Sequence, residues 1–338
     1  MQSLASQRFE TFWNQVAQSY ADQKLAIIGS EKPLNFCCIK NKHLCHFISN
    51  AKDTLKEAKK LGFVISTILN RYYDIIILEL TKSRETNLGL IALAEECLKD
   101  GGKMIINGDN KIGIKSFLQI ISYQWPPEIT MIKKKGRIAL YQKKKQLFGR
   151  WKKYQGFDKN NDGYYTRCDM FSPKEIDKGS QKLVSVFSTK LFGEVADLGA
   201  GWGYLSKEAL RLNNKITRIT LFENNYSAYL ASKKNIDDER AIFRWASIEN
   251  IRNLRLRFNH VICNPPFHSG RQKDIELLKS FIFYSSRLIN SRGSVWMVFV
   301  SGVYFENELK EYFDNIKLLY KDKHYFVCQL LKPKIKEV

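Results

Sequence analysis

The sequence predicts an α/β protein built from two tandem open sheets, and three features of the chain carry that reading. Short apolar runs of strand length alternate with helical patterns in both halves. The order in the first half (strand, helix, glycine stop, strand) recurs in the second, as in a duplicated chain. Two strand-like runs around a charged turn then close the carboxyl end as an antiparallel hairpin.

In the first half, residues 25–29, 63–66 and 73–78 read as strands. Residues 88–98 read as a helix, Gly101 and Gly102 as its stop, and residues 104–106 as the next strand. In the second half, residues 194–198 form a strand, three alternate glycines a tight turn, and residues 204–212 a helix. The strand at 219–222 follows. Residues 261–263 then give a buried strand, 273–289 a helix, Gly293 a stop and 295–300 a strand. The hairpin joins residues 316–320 to 325–331. At 338 residues the chain accommodates two domains with separate cores, placed at 1–150 and 151–338.

A hydrophobic share of 44% and an aromatic share of 13% are those of a folded chain. Seven cysteines, an odd number without CxxC spacing, argue against a disulfide framework and for a reducing compartment. Cys37, Cys38, His43, Cys45 and His46 crowd one stretch, but no second ligand cluster completes a site, so no metal is expected. Residues 1–23 lack the apolar core of a signal peptide, and no apolar run approaches membrane-spanning length. The expectation is a cytoplasmic, monomeric protein without a membrane partner.

The net charge of +21 favours a polyphosphate partner. It concentrates in residues 129–157, which contain no acidic residue but include Lys133, Lys134, Lys135, Lys143, Lys144 and Lys145. Trp151 and Tyr154 interleave with later cations. The run reads as a solvated face or linker, or as a phosphate-tracking stripe between the domains.

Two stretches carry the chemistry. After the strand at 261–263 comes Asn264-Pro265-Pro266-Phe267, where two prolines forbid both ladder pairing and immediate helix entry. This rigid loop offers the Asn264 side-chain carbonyl, the Pro265 main-chain carbonyl and the flat face of Phe267. Two acceptors pulling on a planar amine localise its lone pair and aim it at an electrophile, so geometry replaces a strong base. The second stretch is Asp197-Leu198-Gly199-Ala200-Gly201-Trp202-Gly203, where glycines let backbone approach a ligand at a strand end. Glu223 closes the next strand roughly 20 residues on, where a carboxylate can take both hydroxyls of a ribose. That spacing would also suit a dinucleotide dehydrogenase; Asp197 and the Asn264 loop separate the two.

Asn-Pro-Pro-Phe resembles the amino-group motif of class I S-adenosylmethionine-dependent methyltransferases. The wider pattern resembles the small-subunit ribosomal RNA guanine-N2 methyltransferases (RsmC-like): a Phe-Ser…Asp-x-Gly-Ser segment at Phe171 to Ser180, the glycine turn, and Asn-Pro-Pro-Phe-His. The resemblance covers nearly the full length and is specific only between about Phe171 and Gly270. It implies two Rossmann-like methyltransferase domains, the first degenerate, the second with a mostly parallel seven-stranded sheet ending in the antiparallel hairpin. It also implies S-adenosyl-L-methionine as cofactor and 16S ribosomal RNA, within the small subunit, as partner.

By the same resemblance, Asp197, Gly199, Gly201 and Gly203 surround the methionine part of the cofactor and Glu223 takes its ribose. Ser247 falls where the family usually has an Asp for the adenine amine, a departure that lowers adenine affinity unless Trp245 contributes by stacking; the other reading of Trp245 is plain core packing. Asp177 and Ser180 either cap the pocket or cap a helix. Asn264, Pro265 and Pro266 hold the amine, Phe267 stacks on the base, and His268 shapes the loop or meets a phosphate. The first half has no clustered glycines and carries Glu79-Leu80-Thr81-Lys82 in place of the amine loop, so its work is structural or docking. Two alternatives stay open: another planar amine (23S guanine, adenine N6 or protein glutamine), or a non-catalytic RNA-binding protein that keeps the fold.

Overall fold

The computed structural model describes residues 2–20, 22–70, 72–253, 257–266, 272–301 and 306–334. It divides into two compact units, Met1–Gly156 and Phe157–Val338.

The first unit contains α1 (Leu4–Val16), β1 (Leu25–Ile28), β2 (Cys45–Ile48), α2 (Lys52–Lys60), β3 (Val64–Ser66) and β4 (Tyr73–Glu79). It continues with α3 (Arg84–Cys97), β5 (Leu98–Asp109), α4 (Ile114–Ser122), β6 (Ile129–Lys133) and β7 (Gly136–Gln142). Its seven strands lie in the order β3-β2-β1-β4-β5-β7-β6. β1 to β5 pair in parallel and β7 runs antiparallel between β5 and β6. All four residues of β1 are buried, which is why a continuous apolar run rather than an alternating one marks this central parallel strand.

The second unit opens with the short pair β8 (Asp158–Lys159) and β9 (Tyr165–Thr166), then α5 (Lys178–Phe187), β10 (Gly193–Leu198), α6 (Tyr204–Leu212), β11 (Ile216–Glu223) and α7 (Tyr226–Asn235). β12 (Ala241–Trp245), β13 (Phe258–Cys263), α8 (Gln272–Leu288), β14 (Ile289–Val300), α9 (Glu306–Tyr312), β15 (Phe313–Lys321) and β16 (Tyr325–Pro333) follow. The strand order β12-β11-β10-β13-β14-β16-β15 repeats that of the first unit position for position. The duplicated α/β plan, its mostly parallel seven-stranded sheets and the closing hairpin are therefore as the sequence predicts.

Register makes the duplication residue-specific. Ile28 lies beside Leu78 in the first unit and Leu198 beside Cys263 in the second. Gly29 thus corresponds to Gly199, and Glu79 to Asn264. These positions sit at the carboxyl ends of adjacent central strands, where open α/β sheets bind ligands.

Three local features differ from the sequence reading. The helix expected at 88–98 starts earlier, because Ser83 caps it by accepting from the backbone N–H of Thr86 at 3.2 Å. α1, whose apolar residues Phe9, Phe12 and Trp13 bury against the sheet, carries no turn or glycine signal of its own. The acid-free run is neither a linker nor one stripe: it forms β6, β7 and a 3₁₀ segment, Gly149–Gln155, all inside the first unit. Ile138, Ala139, Leu140 and Tyr141 bury into the sheet, so hydrophobic burial outweighs the surrounding charge.

Candidate active site

β10 delivers the chain to Gly199, Gly201 and Gly203, whose φ values of +70°, +56° and +95° are open to glycine and strained for other residues. Gly203 begins α6, and a Cβ there would meet Ile236 Cδ1 at 2.9 Å. Among the described residues a Cβ on Gly201 would meet nothing within 4 Å, so open space lies over the middle of the turn. The turn is pinned from below: the Gly199 and Ala200 N–H groups donate to the carbonyl of Phe222 at 2.9 and 3.1 Å.

Two carboxylates underlie this turn. Glu223 Oε2 accepts from the Gly201 N–H at 2.7 Å and Oε1 from the Asn225 N–H at 2.7 Å; burial raises its pKa. Asp197 is fully buried, and its Oδ2 accepts from Ser206 Oγ at 2.6 Å. Its Oδ1 has no partner among the described residues. Burial first, with Glu223 adding to it, pushes the Asp197 carboxyl up to about 7. Ser247 is likewise fully buried, and its hydroxyl has no partner among the described residues. Buried oxygens without partners are costly unless something else supplies them. Trp245 is tied by its Nε1 to the Asn224 carbonyl at 2.8 Å and packs against Tyr226 at 4.9 Å between ring centroids.

At the end of β13, Asn264 uses its Nδ2 twice, donating to Asp177 Oδ2 at 2.7 Å and to Ser180 Oγ at 2.8 Å. Asp177 is also the N-cap of α5, accepting from the Ser180 N–H at 2.8 Å. Asp177 is thus a helix cap, as one of the two readings expected, and the same oxygen also reaches the Asn264 amide. A carboxylate only accepts, which fixes the amide's orientation and leaves Oδ1 as the acceptor for another molecule. Beside it lies a small cavity of about 20 Å³ lined by Asn264, Pro265, Leu278, Val298, Phe299, Val300 and Tyr325. Gly179 makes this approach possible: a Cβ there would lie 3.0 Å from Asp177 Oδ2 and 3.1 Å from Tyr325 Cε1.

The structure thus gathers Asp197, the three glycines and Glu223 at one strand end, and Asn264, Pro265 and Asp177 at the next. Pro266 is exposed after them. Phe267 and His268 lie outside the described residues. Lys133, Lys134 and Lys135 precede and form the β6–β7 turn, whereas Lys143, Lys144 and Lys145 follow β7, so the strand separates them by roughly 20 Å. Sequence reasoning missed Ser206, Gly179, Tyr325 and Trp202, whose Nε1 donates to the Phe171 carbonyl at 3.1 Å. Trp202, inside the glycine turn, and Gly179, inside the Asp-x-Gly-Ser segment, carried a signal; Ser206 and Tyr325 carried none.

The corresponding place in the first unit is filled by protein. Glu79 accepts from Ser30 Oγ and, at 3.0 Å, from Asn35 Nδ2; Asn35 Oδ1 in turn accepts from Ser3 Oγ at 2.7 Å. Asn35 belongs to a 3₁₀ turn, Pro33–Phe36, whose Phe36 is fully buried. A Cβ on Gly29 would fall 2.2 Å from the Glu79 carbonyl oxygen, so that glycine serves strand packing. Among the described residues no three His, Cys, Asp or Glu side chains gather to hold a metal ion, and no helix is long and apolar enough to cross a membrane.

Residues 163–329 match the methyltransferase small domain family. A ribosomal RNA small subunit methyltransferase C from Psychromonas ingrahamii is 25% identical over 255 residues, covering 73% of this chain and 72% of that protein. One of the same description from Buchnera aphidicola is 30% identical over 160 residues, but the chain spans only 47% of its length. A solved T. thermophilus 16S rRNA N2 G1207 methyltransferase, in complex with AdoMet and guanosine, superposes with a TM-score of 0.77 at 16% identity. The match covers 91% of this chain and 88% of the other, and at that identity it speaks for the fold.

Proposed function

We propose that this chain, whose residues 163–329 match the methyltransferase small domain family, methylates the exocyclic N2 amine of a guanine in 16S ribosomal RNA with S-adenosylmethionine. The relatives described as small subunit methyltransferases C support the RNA class, and the superposing enzyme, solved with AdoMet and guanosine, supports the cofactor and the base. The observation that carries the reading is the Asn264 amide, held by Asp177 and Ser180 so that its carbonyl is the free acceptor among the described residues.

The residues fit the cofactor. Asp197 Oδ1 is buried without a partner among the described residues just before a glycine turn with open space above it, and Ser247 Oγ is a second such buried oxygen. Asp197 would take the ammonium of the methionine part, Glu223 the ribose hydroxyls and Ser247 the adenine edge. When bound, the cofactor supplies an electrophilic methyl and its leaving group. The protein's part is to aim the amine: Asn264 Oδ1 and the Pro265 carbonyl accept its two N–H groups, and Pro266 stiffens the loop. Phe267 stacks on the flipped base and His268 meets backbone phosphate. No strong base is required, because the amine proton becomes acidic once the methyl has transferred. The first unit docks substrate without catalysing, the substrate is the small subunit in the cytoplasm, and the enzyme works as a monomer.

Labelled S-adenosylmethionine, unmodified small subunits and nucleoside analysis of the product test this. N2-methylguanosine in 16S RNA is the expected product. Label on adenine N6, on 23S RNA or on protein would overturn the assignment while keeping the site.

A further inference from the structure

Lys134 and Lys135 form the two-residue turn between β6 and β7, with φ of +51° and +56°. Both central positions are left-handed, which hairpins ordinarily reach with Asn-Gly or Asp-Gly because a Cβ crowds the backbone there. Two lysines are a strained choice. The matching turn of the second unit is relaxed: Asp322 accepts from the His324 and Tyr325 N–H groups at 2.8 and 2.7 Å, and none of residues 322–324 is left-handed.

The strained turn is held from inside. The Lys134 carbonyl accepts from Arg8 Nη1 at 3.0 Å and the Lys135 carbonyl from the Asn110 N–H at 2.9 Å. Arg8 is fully buried, itself fixed by Asn107 Oδ1 at 2.7 Å and Asp109 Oδ1 at 2.9 Å. The glycine that follows the turn is Gly136, where a Cβ would meet Arg8 Nη1 at 2.1 Å. Glycine is thus used to admit the guanidinium and not to relax the turn. Lys133, Lys134 and Lys135 point their charges outward, all exposed and without an ion pair among the described residues. Lys143 at the other end of β7 differs, since its Nζ is engaged by the Leu98 carbonyl at 2.7 Å and by Asp100 at 3.7 Å.

The turn also has a telling position. Gly136 pairs with Asp109 at the carboxyl end of β5, so the three lysines crown the edge of the first sheet that corresponds to the active edge of the second. There the ligand place itself is filled by Asn35 and Glu79. We propose that Lys133, Lys134 and Lys135 form a preorganised knuckle for RNA backbone phosphates, by which the filled edge of the first unit docks the ribosomal RNA substrate. This rests on the methyltransferase reading above. Ammonium groups serve phosphate as point charges, and a backbone already locked loses less freedom on binding.

The test replaces the turn with its relaxed sequence, Lys134→Asn with Lys135→Gly, and measures melting, cofactor binding and affinity for unmodified small subunits across a salt series. The variant is expected to melt higher, bind cofactor as before, and bind subunits about tenfold more weakly at low salt, with the slope of log affinity against log salt reduced by about 1 to 2. Lys133→Gln, which leaves the turn untouched, is expected to lower the slope by about 1. A higher melting point with unchanged affinity and slope in all variants overturns the proposal and leaves a purely structural turn. Loss of binding to anionic vesicles with RNA binding intact overturns it in favour of a membrane. The underlying reading is judged separately, on whether the unaltered protein forms N2-methylguanosine at all.

Discussion

Asn264 Nδ2 lies 2.7 Å from Asp177 Oδ2, so the residue that would aim the reactive amine is oriented by the cap of a helix that begins before the sheet does. One oxygen both starts α5 and sets the amide. Replacing Asp177 by Ala is expected to cost about 1 kcal/mol of stability through the lost cap. It should also lower kcat about 100-fold through misplacement of Asn264. Asp177→Asn keeps an oxygen able to accept both bonds and should recover most of each loss; thermal melts beside single-turnover rates separate the two effects.

Gly201→Ala probes the cofactor place directly. Its Cβ meets no neighbour within 4 Å among the described residues, so the fold should lose only the cost of a left-handed alanine, about 1 to 2 kcal/mol. The same methyl enters the space above the turn, and cofactor affinity should fall at least about tenfold, read by titration calorimetry. Unchanged affinity would mean that the cofactor does not lie over this turn.

Asp197 sets a pH dependence. Its folded pKa of about 7 lies above the ordinary carboxyl value, so the native state holds the proton more tightly than the unfolded chain does. The resulting stability is fully present below about pH 4 and is lost as pH rises through about 7. Affinity for the cationic cofactor should move the opposite way, rising over the approach to pH 7 as the carboxylate forms. Asp197→Asn should weaken binding and flatten that rise, as followed by cofactor titrations from pH 5.5 to 8.

Much of this was legible because the informative residues are local. Two prolines after a buried strand, three alternate glycines and a closing Glu223 each state their geometry within a few positions. What was not legible joins distant segments: Ser206 on Asp197, Tyr325 against Gly179, and Asn35 plugging the first unit from a 3₁₀ turn. The lysine run misled for a physical reason. A turn at Lys134 and Lys135 carries no glycine or asparagine, so charge masks a hairpin held from inside by Arg8.

The most direct measurement is single-turnover methyl transfer to unmodified small subunits by Asn264→Ala, with its cofactor affinity measured alongside. We expect cofactor binding within about twofold of the unaltered protein and a transfer rate at least about 100-fold lower, because the lost carbonyl acts only on the aligned amine. A variant that forms N2-methylguanosine at the unaltered rate would contradict the assignment of Asn264 as the group that aims the amine.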